Sequence, residues 1–133
     1  THVGETHDPQ RIAALPRFVA INTALQVGLD GAVNVERVGG RFIAGMGGHP
    51  DFCAAAARSE DALSVIALRS VRSGRSTVVA QPEVVTTARS DVDVVVTEHG
   101  VADLRGLSDA ERADRLIAVA DPEFRSGLAA TLR

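Results

Sequence analysis

The sequence contains no lysine, no tryptophan and no tyrosine, and only one cysteine and one methionine. A lone Cys53 excludes an intramolecular disulfide framework and gives no sign of an oxidising compartment. Four phenylalanines are the only aromatic residues, so there are no platforms on which nucleic-acid bases would be expected to stack. The net charge of −3 points the same way, and nucleic acid is not expected as a partner. All 14 basic residues are arginine, which reads as a compositional bias of the source more than as mechanism. No apolar run approaches the roughly 20 residues of a membrane span, and no charged-then-apolar signal segment opens the chain. A cytoplasmic protein without membrane contact is the expectation. The chain opens on Thr1 and not on Met, so processing, or excision from something longer, is expected.

Against these absences stand 45% hydrophobic and 23% charged residues, a balance that buries a core without disulfide or metal staples. One domain over residues 1–133 is expected. Asp8-Pro9 caps a short helix that Pro16 ends. Residues 18–22 start a strand expected to run on through Val27. Asp30-Gly31 is a hairpin turn signal, and residues 33–38 alternate with period two, as a half-buried strand does. Gly39-Gly40 breaks that strand, and residues 41–44 read as a third short one. A glycine loop then leads into a helix with Pro50 in its first turn, continued by residues 54–57 and closed by Ser59-Glu60-Asp61. Residues 64–68 are a continuous apolar strand of the buried parallel kind, and residues 92–97 carry the strongest strand signal in the sequence. Between them, residues 72–76 read as a loop, and residues 77–80 and 84–87 as short strands split by Pro82. Ser108 and Glu111 form a capping box, after which Ala110, Ala113, Leu116, Ile117 and Ala120 share a helical face. Asp121-Pro122 opens a last helix with Phe124, Leu128 and Leu132 near helical spacing. The mixture predicts an α/β fold: a mainly parallel sheet flanked by helices, with an antiparallel ribbon near the N-terminus.

Two places stand out for chemistry. Gly45, Gly47 and Gly48 let the backbone approach a ligand, and N–H groups at the following helix start favour an anion. A tight strand-to-helix turn explains the same glycines. Glu98 follows the strand over residues 92–97, and functional groups of parallel sheets collect at the carboxyl ends of strands. A cap on a turn over residues 101–104 is the other reading. His2 and His7 lie in a lead-in expected to be mobile. His49 is placed either against a ligand or on the surface, and Cys53 reads as a small core residue. No histidines stand at metal-ligand spacing, and no P-loop, complete Gly-x-Gly-x-x-Gly or Gly-x-Ser-x-Gly elbow occurs. No metal and no tightly bound cofactor is expected.

Several motifs, in order, resemble one family. Residues 20–27 with Asp30-Gly31 and Val33-Asn34 resemble its ribbon. Gly45-Met46-Gly47-Gly48-His49-Pro50-Asp51-Phe52 resembles its Gly-x-Gly-Gly-x-x-Asp-Phe loop. Residues 94–106, through Val96-Thr97-Glu98-His99-Gly100-Val101-Ala102, resemble its Val-Thr-Glu-Tyr-Gly-Val-Ala segment. Residues 111–113 and 120–125 resemble its closing helices. On these grounds the chain is similar to the C-terminal domain of the acetyl-CoA hydrolase/transferase family, which includes 4-hydroxybutyrate and acetate CoA-transferases.

The resemblance implies an α/β half of a CoA-transferase that moves CoA between small carboxylic acids in acetyl-CoA metabolism. It implies a ping-pong reaction through a glutamyl-CoA thioester, with coenzyme A as substrate. The glutamate lies upstream of the matched region in the family and has no counterpart in residues 1–133. The implied partners are acyl-CoA, a small carboxylate and an absent N-terminal half, with self-association through uncovered apolar surface a further expectation. By position, Gly47, Gly48 and His49 fall at the CoA and oxyanion site, and Glu98 at a supporting glutamate that is not the nucleophile. There are departures: Ala44 for Asn or Ser, His49 for Gln or Ser, His99 for Tyr, and Glu60-Asp61-Ala62 for a Lys-Gly-Gly whose lysine holds CoA. The acidic pair would repel CoA phosphates. It favours, as the alternative, a non-catalytic binding or assembly module that kept the fold.

Overall fold

The computed structural model describes residues 2–133. Helices α1 (Val3–Thr6) and α2 (Pro9–Ala13) precede strand β1 (Val19–Asn22). Four short strands follow: β2 (Gln26–Gly28), β3 (Val33–Asn34), β4 (Arg37–Val38) and β5 (Arg41–Phe42). Helix α3 (His49–Ala57) leads to β6 (Leu63–Ala67), then β7 (Val71–Arg72), β8 (Arg75–Ser76) and β9 (Val78–Val79). Strands β10 (Val94–Thr97) and β11 (Gly100–Asp103) and helices α4 (Asp109–Val119) and α5 (Pro122–Ala130) complete the chain.

The main sheet has the order β1-β6-β10-β11, with β1, β6 and β10 parallel and β11 antiparallel to β10. The fold is therefore α/β with a mainly parallel sheet, as the sequence predicts. Its register pairs Asn22 with Ile66, Ile66 with Val95 and Val95 with Ala102. Strand alternation puts Ser64 and Thr97 on that same face. Asn22 Nδ2 donates to Cys53 Sγ of α3 at 3.5 Å, and Thr97 Oγ1 donates to the Val119 carbonyl of α4 at 2.6 Å. Both helices thus cover one face of the sheet. The contact is dry: Cys53, Ile66, Val95, Ala102 and Leu116 are fully buried. Burying a leucine or isoleucine side chain contributes about 1.5–3 kcal/mol each. The other face is open, and Val19, Ile21 and Val101 are 48%, 70% and 64% exposed on it.

The antiparallel ribbon is present as β2 with β3 and β4 with β5, but its strands are shorter than the periodicity predicts. The strand expected through residues 18–27 breaks at Thr23-Ala24. Its first part pairs with β6, and its second joins a separate sheet, β3-β2-β9. The run over residues 33–38 breaks at Asn34, whose buried Oδ1 accepts from the N–H groups of Glu36 and Arg37 at 2.9 and 3.1 Å. That side-chain turn takes the place of ladder bonds. Residues 72–76, expected as a loop, form the hairpin β7–β8 instead. Residues 84–87 make no strand, only a bridge between Val33 and Thr87. Residues 101–104 lie largely in β11 and not in a turn.

The three expected helix caps are all formed. Asp8 and Asp121 accept from the N–H two residues on, and Ser108 with Glu111 makes a complete capping box. On α4 the buried side chains are Ala113, Leu116 and Val119, while Ala110 faces water.

Candidate functional site

The carboxyl ends of β1, β6 and β10 carry the residues that the sequence marks for chemistry. Past β1, the Thr23 carbonyl lies 3.2 Å from His49 Nε2, which ties the start of α3 to that strand end. The other ring nitrogen, Nδ1, lies 2.8 Å from Thr87 Oγ1. One neutral tautomer satisfies both: Nε2–H donates to the carbonyl and Nδ1 accepts from the hydroxyl. Burial lowers the pKa of His49, opposed by the bond to Thr23, so the ring is neutral at pH 7. His49 is 8% exposed, which corrects the reading of a surface histidine. Both ring nitrogens are engaged inside the fold. Cys53, one turn on, is a core residue as expected, and burial raises its thiol pKa.

The loop before α3 is different. Among the described residues, none of the N–H groups of Gly45, Met46, Gly47 and Gly48 finds a hydrogen-bond acceptor, whereas the next one, His49, donates to the Met46 carbonyl at 3.2 Å. Pro50 at the start of α3 has no N–H to orphan. Gly47 adopts φ +53°, which favours glycine, and a Cβ on Gly45 or Gly47 would stand in open space. Gly48 is a glycine for another reason. A Cβ there would collide with the His7 ring and approach Phe52 to 2.8 Å. His7 and Phe52 pack with tilted rings, centroids 5.2 Å apart, so the His7 end of the lead-in expected to be mobile is packed against α3, while His2 is exposed. A cavity of about 370 Å³ opens at this loop, lined by Thr23, Ala24, Ala44, Gly45, Met46 and His49 among others.

Past β10, Glu98 is exposed and accepts from Ser70 twice, at Oε2 from the N–H (2.9 Å) and at Oε1 from the hydroxyl (2.8 Å). The Ser70 N–H is the largest cause of a pKa pushed down to about 2, with Glu98's own N–H and the Ser70 hydroxyl adding to it. Glu98 is thus a fixed carboxylate at any physiological pH, and its partner is Ser70, not a turn over residues 101–104. His99 turns away, with Nε2 3.5 Å from Asp121 Oδ2. Glu98 does not line the glycine-loop cavity; Arg72, two residues past Ser70, does.

Glu60 and Asp61 lie elsewhere. Both are exposed in the turn before β6, whose first residue, Leu63, donates to the Phe18 carbonyl at the start of β1. Roughly 13 Å of strand separates that amino edge from the carboxyl edge at Ala67. Their charge therefore does not face the glycine loop. Sequence reasoning also missed Thr23, Ser70 and Thr87, small residues with no motif of their own. No group of three His, Cys, Asp or Glu side chains among the described residues could hold a metal ion.

Comparison with known proteins fits this arrangement. The acetyl-CoA hydrolase/transferase C-terminal domain profile matches residues 1–132. The chain is 38% identical over 133 residues to a probable butyrate:acetyl-CoA coenzyme A-transferase of Syntrophomonas wolfei, covering 95% of this chain and 30% of that protein. It is 37% identical over 131 residues to the 4-hydroxybutyrate coenzyme A transferase of Clostridium kluyveri, with the same two coverages. The crystal structure of RipA from Yersinia pestis superposes with a TM-score of 0.81 at 38% identity, over 93% of this chain and 27% of that one. The chain spans about 30% of the length of the curated relatives it matches. From its profile match, its relatives and its fold, the chain belongs to the acetyl-CoA hydrolase/transferase family, as the C-terminal domain.

Proposed function

We propose that this chain forms the CoA-thioester side of a CoA-transferase or acyl-CoA hydrolase active site, completed by a region outside residues 1–133. The observation that carries this reading is the row of four N–H groups, Gly45 to Gly48, with no acceptor among the described residues, the first two lining a cavity at the carboxyl edge of the sheet. N–H donors held in advance stabilise the oxyanion of an attacked thioester carbonyl, an effect worth about 3–4 kcal/mol per donor in acyl transfer. The nucleophile in this reading is a glutamate of the missing region. It attacks the acyl-CoA carbonyl and expels the CoA thiolate, giving an acyl-glutamyl anhydride. The thiolate then attacks the glutamyl carbonyl, releasing the first carboxylate and leaving a glutamyl-CoA thioester, whose CoA passes to a second carboxylate by the reverse steps or is released by water. Glu98, kept ionised by Ser70, supports that site as a fixed negative charge. His49 acts as a positioning residue, through the loop it anchors and not through its ring nitrogens. The uncovered sheet face with Val19, Ile21 and Val101 is where we place contact with the remaining protein, or self-association in its absence. The acidic pair that would favour a non-catalytic module sits at the opposite edge, so we keep the catalytic reading.

Titration of the chain with acetyl-CoA tests this. Binding weakened at least tenfold by Gly45→Asp, which fills open space with a carboxylate beside the donors, is the expected result. Equal binding by both forms overturns the loop as the thioester site. Acyl transfer by the chain alone overturns the placing of the nucleophile.

A further inference from the structure

Two hairpins face each other beside the glycine loop. In β4–β5 the turn is Gly39-Gly40, with φ of 61° and 71°; in β7–β8 it is Ser73-Gly74, with φ of 50° and 72°. Two consecutive residues with positive φ make type I′ turns, which match the strand twist and hold both tips rigid. Between the tips lies a cleft of about 720 Å³. Its apolar lining is Leu25, Val38, Ile43 and Val79, and its rim carries Arg41, Arg72 and Arg75. All three arginines are exposed. Among the described residues none of them has a carboxylate at ion-pair distance, although the chain as a whole is acidic. The one acidic lining residue, Glu83, accepts from the Gly40 N–H at 2.7 Å and makes no ion pair with any of the three. Arg75 reaches over to the other tip, its Nη1 standing 3.8 Å from where a Gly39 Cβ would be.

Three guanidinium groups against one carboxylate, none of them ion-paired among the described residues, over a partly apolar cleft suit a ligand with several phosphate oxygens and a flat or aliphatic body. Leu25, Ile43 and Arg72 line both this cleft and the smaller cavity at Gly45, so the two are continuous. We propose that the inter-hairpin cleft binds the phosphorylated nucleotide end of the CoA substrate, with Arg41, Arg72 and Arg75 holding its phosphates. The proposal rests on the CoA reading above. It supplies the cations that the Glu60 position lacks, and at the edge of the sheet where the glycine loop lies.

Calorimetric titrations of the chain with CoA, adenosine 3′,5′-bisphosphate, acetyl-pantetheine and inorganic phosphate test it. CoA and the bisphosphate are expected to bind, and each of Arg72→Gln and Arg75→Gln to weaken both about tenfold. Acetyl-pantetheine, which carries no phosphate, is expected to bind Arg75→Gln like the parent, since Arg75 lies outside the glycine-loop cavity. Ser73→Asp, which adds a carboxylate at the tip without touching an arginine, is expected to weaken CoA in the same way. Unchanged CoA binding in all three variants overturns the cleft while leaving the CoA reading in place. Inorganic phosphate bound as tightly as CoA makes the cleft a free-anion site and overturns the nucleotide assignment. Failure of acetyl-pantetheine and CoA alike to bind the parent overturns the CoA reading itself, and the proposal with it.

Discussion

The two edges of the parallel sheet are built on opposite terms. At the amino edge the buried polar groups are paired. The buried Ser64 donates its N–H to Asp93 Oδ2 at 2.8 Å and its hydroxyl to the Asp91 carbonyl at 2.7 Å. Asp93 returns its own N–H to Ser64, and Arg58 stands 3.4 Å from Asp91. At the carboxyl edge, among the described residues, four successive N–H groups have no acceptor and three arginines have no carboxylate at ion-pair distance, and Glu98 is held ionised. An unpaired polar group contributes nothing to stability, and where it is shielded from water it costs free energy. Concentrating such groups on one edge is the signature of a surface prepared for a ligand. The paired edge is a structural joint.

That contrast can be broken most severely at His49, which ties the start of α3 to the end of β1. His49→Ala removes a buried ring and strands the Thr87 hydroxyl and the Thr23 carbonyl, an expected loss of about 2–4 kcal/mol in chemical denaturation. The parent is also acid-sensitive through this residue. The unfolded ring takes up its proton near 6.5 and the folded ring only at lower pH. Between those values the unfolded chain binds more protons, so stability falls as pH drops below about 6.5. The expected thermal shift between pH 7 and pH 5 is smaller in His49→Gln.

Gly45→Asp attacks the open edge alone. It is expected to cost binding of acetyl-CoA tenfold or more and to change stability by less than about 0.5 kcal/mol. Asp93→Ala is its mirror image at the paired edge. Leaving the Ser64 N–H buried without an acceptor costs about 1–3 kcal/mol of stability, with ligand affinity unchanged. If Asp93→Ala loses affinity as well, the two edges are not separable.

A smaller effect sharpens the role of Ser70. Ser70→Ala removes the hydroxyl bond but keeps the N–H bond, which is the larger cause of the Glu98 shift. The Glu98 carboxyl, followed by NMR titration, is expected to rise from about 2 while staying below its ordinary value of 4.5. The smallest effect is expected at the amino edge. Glu60→Lys leaves CoA affinity within about twofold at 0.15 M salt, because Debye screening acts over roughly 8 Å.

Sequence periodicity exposed the parallel strands well, because β6 and β10 are apolar on both faces and short enough to leave no helical alternative. The helix caps were equally legible, since Asp8, Ser108 and Asp121 act on neighbours two or three residues away. The ribbon was read too long because Asn34 bonds back to Glu36 and Arg37, a local competition that apolar alternation does not record. The glycine loop and Glu98 were visible as motifs. Their partners were not, because Ser70 lies 28 residues from Glu98 and Thr87 lies 38 from His49. Gly48 carried a misleading signal: packing against His7 and Phe52 demands a glycine there whether or not a ligand approaches. The arginine cleft depends on two hairpins meeting; Gly39-Gly40 between two strands marked one, and Ser73-Gly74, read as a loop, hinted at the other, but local pattern does not record that they face each other.

Backbone amide NMR during titration with acetyl-CoA examines the loop most directly. The amides of Gly45, Met46, Gly47 and Gly48 are expected to move together and saturably, as their N–H groups gain the acceptor they lack, while Ser64 and Asp93 stay still. Shifts confined to the amino edge, with the four loop amides unmoved at saturating ligand, would contradict a thioester site at the carboxyl edge.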